Sequence, residues 1–500
     1  MINNGENGYL TVKACEKSFG VEAAGDYTLP DYQSDIRRIL CVSQTVLPPA
    51  KYISGDSVEF NGTVDYQVLY VGGDGGMYSA PLSGEYSFSV PLERGADIDV
   101  TNGVTVLCHV CAEGVSTRVS APRRLSIKSR LRPNVRVFAK MPVGVRMISE
   151  VDPVSVYTKT GKCKSLMCDS AVSDVISLSY TAPLSSEDMR VVSADARVCV
   201  TNTECSGSGV SCRGKVLLKL LCAAPDENGE GEVISTVNAD VPFDGDVDMD
   251  ECSSDRYCRV RGVLSEMSVN VSESGVQCDI GVILEAMAAR NAEVEYTEDV
   301  YSTERECVCE MRQTAPVSLL SCGNANLTLS ERIPLEKAGV PENAQIVDAL
   351  GSVCFDGCTL TDGRYAYSGT ASLVLIYRND GELYSTDINI PVRYEAQTSA
   401  DGVPTCFDGC AELTDIRARA EKGELSVDAE LLISADCMGE TTVNAVEKAS
   451  FGDAFAPREC ELTVCYPSSG DTLWSVAKRY RVAPADVMGD PEKDRYVMIE

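Results

Sequence analysis

The side chains that could carry chemistry in this chain are mainly its 23 cysteines and one histidine. Residues 354–358 and 406–410 share the sequence Cys-Phe-Asp-Gly-Cys. Four thiolates can hold tetrahedral zinc, although paired zinc cysteines usually enclose two residues rather than three. An Asp-Gly pair is also typical of a simple turn. The sequence therefore favours a repeated turn over a disulfide or a zinc site formed by Cys354, Cys358, Cys406 and Cys410.

His109 is the one histidine that a Ser–His–Asp or Cys–His centre could use. It lies in the alternating segment 104–111, which reads as a strand, and no catalytic motif surrounds it. The chain also has no P-loop and no dinucleotide-binding glycine fingerprint. We therefore predict a structural role for His109 and a chain that is not an enzyme and uses no cofactor.

The charge balance restricts the partners. The formal net charge is −31 at pH 7, from 44 basic and 75 acidic residues. A chain this acidic repels phosphate backbones, so we expect no nucleic-acid partner. No segment approaches the roughly 20 apolar residues of a membrane helix, so we expect no membrane insertion. The first ten residues do not resemble a signal peptide, and an odd cysteine count favours free thiols in a reducing cytoplasm.

Internal repeats organise the elements that position these groups. A strand-like segment with a central glycine recurs at Gly62, Gly214 and Gly369, in steps of 152 and 155 residues. A second anchor, the Asp-Ile-Arg-Arg segment that begins at Asp35, recurs in steps of 153 and 155 residues. Two anchors with nearly the same period predict three copies of one unit.

Period-2 alternation at 58–68 predicts strands, and the central glycine predicts a bulge or a close backbone approach. Asn379-Asp-Gly381 predicts a hairpin turn, and residues 281–291 fit either a short helix or a buried strand. Pro81, Pro242 and Pro391 are expected at strand edges or bends. The predicted fold is mainly β, with three tandem β-rich repeat units of about 150 residues before a small β-α-α-β module. The predicted boundaries are a leader at 1–27, units at 28–145, 150–312 and 313–456, and a module at 461–500.

The C-terminal 40 residues have their own pattern. Residues 462–466 predict a strand, and Asp471 is placed to cap a helix. Leu473 begins an i, i+3, i+4, i+7 apolar stripe that ends at Tyr480. Pro484 suits the first turn of a second helix at 485–488, and 495–499 predicts a closing strand.

This module resembles the LysM family in residues 470–477, Gly-Asp-Thr-Leu-Trp-Ser-Val-Ala, and in Lys478-Arg-Tyr480. The resemblance implies a groove for GlcNAc-containing glycans such as peptidoglycan. Two departures are Asp490 in place of the usual asparagine and the lack of a Pro-Gly-Gln-type loop, so protein binding stays an alternative. We favour a capping role for Asp471 and a core role for Trp474 over sugar contacts. The groove residues that the resemblance implies are Gly470, Asp471, Thr472 and Leu473 on one side and Met488, Gly489, Asp490 and Pro491 on the other.

The repeats, with Leu29-Pro30, the segment 35–40 and the strand 58–70, resemble the SPOCS domain of spore-coat proteins from endospore-forming Firmicutes. Tandem copies before a terminal LysM module are similar to coat morphogenetic proteins of that group. The resemblance implies a non-catalytic adaptor in the mother-cell cytoplasm, at the forespore surface. Its partner would be the coat basement-layer ATPase, a stage IV sporulation protein A-like protein. The alternatives are a peptidoglycan- or GlcNAc-binding cell-wall-associated protein and a cell-wall hydrolase.

Overall fold

The structure is a computed structural model that describes residues 8–92, 103–148, 155–183, 189–225, 232–250, 252–272, 275–397, 404–456 and 462–500. It is mainly β, which confirms the predicted fold class. Among the described residues, no helix is long and apolar enough to cross a membrane.

The strands fall into three sets, called here the first, second and third units, and a C-terminal module. The first unit contains β1 (Tyr9–Ser18), β2 (Val21–Thr28), β3 (Ile36–Val46), β4 (Ala50–Ser54), β5 (Ser57–Gly72), β6 (Met77–Pro91), β7 (Val104–Ala121), β8 (Arg124–Pro142) and β9 (Arg146–Ile148). The second contains β10 (Val156–Val172), β11 (Ile176–Ala182), β12 (Arg190–Ser206), β13 (Gly209–Pro225), β14 (Glu232–Asp248), β15 (Tyr257–Ser272) and β16 (Gly275–Ser302).

The third unit contains β17 (Arg305–Thr314), β18 (Val317–Pro334), α1 (Leu335–Ala338), β19 (Gln345–Thr361), β20 (Arg364–Asn379), β21 (Glu382–Gln397), β22 (Pro404–Glu421), β23 (Glu424–Glu440) and β24 (Val443–Ala454). The module contains β25 (Thr463–Cys465), α2 (Leu473–Tyr480), a 3-10 turn (Pro484–Asp486), β26 (Val487–Met488) and β27 (Val497–Ile499).

Each unit packs two antiparallel sheets face to face. One sheet is a meander, β3-β5-β6, β12-β13-β14 or β19-β20-β21, with β4 paired to β5 beyond the end of β3. In the other sheet, the long strand β8, β16 or β23 pairs with the strand before it. It also pairs with β1 and β2 in the first unit, with β10 and β11 in the second, and with β18 in the third. The inward-facing side chains of the two sheets form one apolar core per unit.

The three anchor glycines lie where the middle meander strand passes close to its neighbours. A Cβ at Gly214 would lie 2.5 Å from the carbonyl oxygen of Cys199, and one at Gly369 would lie 2.2 Å from that of Cys354. The strand opposite each of these two glycines has a β-bulge, and opposite Gly62 the chain passes from β3 to β4. The close approach and the bulge that the sequence predicted are both present.

Other local predictions also hold. Asp380 and Gly381 have positive φ values of 49° and 82° and close the β20–β21 hairpin. The three prolines lie in β6, β14 and β21, which are outer strands of the meanders. Residues 281–291 belong to the central strand β16, so the strand interpretation of that segment is correct.

Two boundaries need correction. Residues 9–27 were assigned to a leader, but β1 and β2 pair with β8 and bury Leu10, Val12 and Ala14. Their alternation buries one face against the first unit, which a leader would not do; residues 1–7 lie outside the described part. Strand β17, assigned to the second unit, instead pairs with β24, which also pairs with β9.

The units pack against one another, each contacting both others. One apolar cluster combines Leu69 of the first unit, Leu221 of the second and Ile376 of the third, which occupy equivalent meander positions. A second cluster includes Phe138 and Met438, again from equivalent strands of the first and third units. These shared clusters bury apolar surface that no single unit could cover.

Candidate binding surfaces and the junction of the three units

Four charged side chains meet where the three units join. This cluster, called here the junction, consists of Arg136, Arg259, Asp408 and Asp436. Asp408 accepts from Arg136 of the first unit at 2.5 Å and from Arg259 of the second at 2.7 Å, both at Oδ2. Arg259 also pairs with Asp436 at 2.6 Å. Both carboxylates are buried on neighbouring strands of the third unit, directly opposite each other. One carboxylate therefore ties all three units together.

The two aspartates respond to this site in opposite ways. Burial opposes ionisation of Asp408, but Arg136 and Arg259 outweigh it and hold the pKa of that carboxyl well below its ordinary value. Burial dominates at Asp436, and the nearby charge of Asp408 adds to it, so the pKa of Asp436 is raised despite Arg259. Two like charges on facing strands cannot both be fully stabilised, and the junction favours Asp408 as the ionised one.

Divergence between the units creates the junction. Strands β7, β15 and β22 share a bulge after Ala112, Leu264 and Leu413. Five residues before that bulge, the three units carry Leu107, Arg259 and Asp408 respectively. The same position is thus apolar in the first unit, basic in the second and acidic in the third. The charges of Arg259 and Asp408 are therefore complementary only when the second and third units pack as they do here.

His109 borders a cavity beside the junction. Burial, together with the positive charges of Arg261, Arg259 and Arg136, lowers the pKa of His109 to about 3. The imidazole is therefore neutral and weakly basic at neutral pH. The structural role of His109 stays a prediction.

The structure does not bring the four candidate zinc cysteines together. Cys406 accepts from Arg136 at 3.8 Å, whereas Cys358 lies near Tyr367 and Cys437 inside the third unit. In the described residues, no three or more His, Cys, Asp or Glu side chains are arranged to hold a metal. The Asp-Gly pairs also form no hairpin turn, because both segments lie within long strands, β19 and β22.

Within the C-terminal module, Thr472 rather than Asp471 caps α2. Its Oγ1 accepts from the backbone N–H of Ser475 at 3.2 Å, and the Ser475 hydroxyl accepts from the Thr472 N–H at 2.8 Å. Asp471 instead accepts from Arg479 at 2.5 Å and from the Ser468 N–H at 2.9 Å. Arg479 holds the pKa of Asp471 below its ordinary value. Asp471 is thus structural, although it is not the N-cap.

The prediction of a second helix in the β-α-α-β order is wrong. Only the 3-10 turn at Pro484–Asp486 forms, and Val487–Met488 pairs as a strand with β27. Val487 is buried in the core of the module while Met488 points outwards. A strand, with its alternating faces, produces this division.

Trp474 is partly buried and packs against the core cluster of the module, which also includes Tyr301 of the second unit. Its indole N–H donates to Asp299 at 2.8 Å, and its ring meets Tyr301 edge-on at 4.8 Å. Both partners belong to β16 of the second unit. Tyr301 also donates to the carbonyl of Val482 at 2.7 Å, and Lys478 pairs with Asp299 at 2.6 Å. The module is therefore docked on the second unit through its only tryptophan.

The other predicted groove residues are partly unavailable. Pro491 is buried, and Asp490 pairs with Lys493 at 2.7 Å. Gly489 has a φ of 110°, which fixes the turn after β26. Gly470 has a φ of 91° in the turn before α2. Leu473 and Met488 are the two exposed apolar members of the predicted groove.

The sheet of the module exposes an apolar surface that was not predicted from the sequence. This surface is called here the outer face. In register, Val464 and Met488 both lie opposite Met498, so the three side chains form a row across the sheet. Tyr466 and Tyr496 extend it, with ring centroids 6.4 Å apart and exposures of 68% and 53%. The period-2 alternation was visible in the sequence, but with apolar residues on both faces it did not show which face lay outside.

Comparison with known proteins supports one of the resemblances. Residues 189–272 match the family described as SipL, SPOCS domain. The matched segment runs from the start of β12 to the end of β15 in the second unit. No curated protein and no solved structure matches the chain. The match supports a sporulation protein that is associated with the spore coat.

Proposed function

We propose that this chain is a non-catalytic adaptor in spore coat assembly. It links the coat basement-layer ATPase, a stage IV sporulation protein A-like protein, to the forespore surface from the mother-cell cytoplasm. The three units form the body of the adaptor, and the C-terminal LysM-like module makes the contact with the ATPase.

The observation that carries the proposal is the outer face. Val464 is 50% exposed and Met498 is 37% exposed, and both lie beside two exposed tyrosines. Contiguous apolar surface with aromatic and methionine side chains is characteristic of protein–protein contacts. The SPOCS match supplies the coat context in which such a contact would operate.

The same module is less well prepared for a glycan. Sugar sites commonly use an aromatic ring for stacking and free polar groups for hydrogen bonds. Here the ring of Trp474 packs on Tyr301, Asp471 is paired with Arg479, and Pro491 is buried. Binding to peptidoglycan or another GlcNAc polymer remains the alternative that the experiment must separate.

The non-catalytic part of the proposal rests on the junction. Its charges are paired with one another across unit boundaries, which is the arrangement of a structural tie. His109, the one histidine, is held neutral with a pKa of about 3, far from the value near 7 of an efficient acid–base catalyst.

The test is a pull-down of the full-length chain against two baits, the stage IV sporulation protein A-like ATPase and insoluble peptidoglycan. Val464→Asp places a charge in the middle of the outer face, and we expect it to abolish binding to the ATPase. Val271→Asp is the matched control, because Val271 is 57% exposed but lies on β15 of the second unit.

Binding of the wild-type chain to peptidoglycan alone would contradict the adaptor proposal and support a wall-binding protein. Equal loss of ATPase binding in both valine variants would show that the outer face is not the contact.

A further inference from the structure

The cavity beside the junction has a volume of about 90 Å³. Strand β7 of the first unit, β15 of the second and β22 of the third all border it. One water molecule needs only roughly 10–15 Å³, so the cavity has room for a small ion or molecule. A ligand in this position would lie where all three units meet.

Equivalent residues of these three strands line the cavity. Three residues before the shared bulge, the units carry His109, Arg261 and Cys410. Burial and the neighbouring arginines lower the pKa of His109 to about 3, whereas burial and the charge of Glu412 raise the pKa of Cys410 to about 12. The imidazole and the thiol are therefore neutral at pH 7, and Arg261 is the one charged member of the three.

Arg261 is only loosely held by carboxylates. Its Nη1 lies 3.5 Å from Oε2 of Glu285, and its Nε lies 3.5 Å from Oε1 of Glu412. Both distances exceed the roughly 2.7–3.2 Å of an ordinary N–H···O hydrogen bond. The side chain of Arg261 is 25% exposed, so its guanidinium has donors that a ligand in the cavity can reach.

Lys51, on β4 of the first unit, is a second available cation at the edge of the cavity. It is exposed, its Nζ donates to the Val106 carbonyl at 3.0 Å, and it forms no ion pair with a carboxylate in the described part of the chain. An ammonium carries three N–H donors, so Lys51 also has donors left for a ligand.

The charges around the cavity favour an anion. Among the described residues that line it, four are cationic and three are anionic, whereas the whole chain has a net charge of −31. The cationic residues are Lys51, Arg136, Arg259 and Arg261, and the anionic ones are Glu285, Asp408 and Glu412. Water screens charges less in a partly buried site than at the surface, so this local positive excess attracts a small anion.

We propose that this cavity binds one small tetrahedral oxyanion of the phosphate and sulfate class, which Arg261 and Lys51 hold. A guanidinium presents a planar fork of donors that fits an oxyanion, and an ammonium adds a compact charge. Lys51 belongs to the first unit and Arg261 to the second, so the bound anion ties these two units together beside the ion pairs of Asp408. This site does not depend on the adaptor function.

His109 supplies a direct readout of binding. It is the only histidine, so an untagged full-length chain labelled with ¹³C-histidine gives signals from this ring alone. Phosphate is titrated at fixed pH and ionic strength, with chloride as the anion that it replaces. We expect a saturable shift of the His109 Cε1–H resonance, because His109 lines the same cavity, and a higher melting temperature at saturating phosphate. Sulfate should produce the same two effects.

A lysine variant tests the proposed contacts. Lys51→Gln removes one of the two cations and should leave the chain folded, because the position is exposed. We expect it to weaken phosphate binding at least tenfold. Lys128→Gln is the matched control and should bind phosphate with the wild-type affinity, because Lys128 is an exposed lysine of the same unit that pairs with Glu22 away from the cavity. Arg261→Gln should abolish binding.

The wild-type titration decides the matter even if Arg261→Gln does not fold. A His109 resonance that phosphate does not move, or that chloride moves equally, would overturn the proposal. Equal phosphate affinity in Lys51→Gln and the wild type would also overturn it, because the anion would then lie elsewhere.

Discussion

The junction and the outer face reverse the usual placement of polar and apolar groups. At the junction, Arg136, Asp408 and Asp436 are buried, and Arg259 is mostly buried and pairs with both aspartates. On the outer face, a row of apolar side chains is exposed on a three-stranded sheet. The carboxylate of Asp408 is satisfied within the chain by Arg136 and Arg259, whereas the apolar surface outside has no partner among the described residues. The junction therefore explains how the three units of one chain are held together, and the outer face indicates a surface that a partner protein would cover.

This difference separates specificity from affinity. Buried ion pairs contribute little net stability compared with apolar packing, but their loss is costly because it leaves an unpaired buried charge. The junction therefore selects one arrangement of three related units. Apolar surface is less selective, and its burial against a partner is favourable in proportion to its area.

The largest expected effect comes from breaking the junction. Asp408→Asn leaves Arg136 and Arg259 buried without their shared carboxylate, and we expect a loss of about 3–5 kcal/mol in the free energy of unfolding. Chemical denaturation followed by circular dichroism measures it. The control is Asp415→Asn on the same strand, whose ion pair with Arg417 is partly exposed and should contribute at most about 1 kcal/mol. Equal effects in the two variants would contradict the role of the junction.

A smaller effect is expected where the module docks on the second unit. Tyr301→Phe removes the donor to the Val482 carbonyl and should destabilise the docked module by about 1–2 kcal/mol. Trp474 is the only tryptophan, so its fluorescence during urea titration reports this contact alone. Lys478→Ala removes only an exposed ion pair with Asp299 and should shift the midpoint less. A larger shift in Lys478→Ala would show that charge, not Tyr301, holds the module.

The smallest stability effect is expected at Asp436. Because its pKa is raised in the folded chain, its contribution is fully present below the unfolded value of about 3.9 and is lost as pH rises through the folded value. Asp436→Asn should therefore change the free energy of unfolding by about 1 kcal/mol or less at pH 7, because Arg259 would still form its ion pair with Asp408. Denaturation at several pH values should show that the wild type loses stability relative to the variant from pH 4 upwards. The opposite slope would mean that Asp436, not Asp408, is the stabilised carboxylate.

Much of the local structure could be predicted because it depends on neighbouring residues. Alternation identified the strands, Asp380 and Gly381 identified a hairpin, and the central glycines identified close approaches. The leader was wrong although Leu10 and Val12 already alternated with polar residues. The second helix was wrong because the module core needs Val487 alone and not a helical stripe.

The candidate sites were less predictable because they depend on distant residues. Arg136, Arg259 and Asp408 come from three strands in three units, and only the packing of the units brings them together. Trp474 packs against the module core, but its contact with Tyr301 could not be predicted because Tyr301 lies far away in the sequence.

The most direct test of the account is the affinity of the full-length chain for the stage IV sporulation protein A-like ATPase, measured by isothermal titration calorimetry. Val464→Asp and Val271→Asp should both leave the free energy of unfolding within about 0.5 kcal/mol of the wild type, because both positions are exposed. The account predicts that Val464→Asp weakens binding at least tenfold, about 1.4 kcal/mol, while Val271→Asp does not. Unchanged affinity in a folded Val464→Asp chain would contradict it.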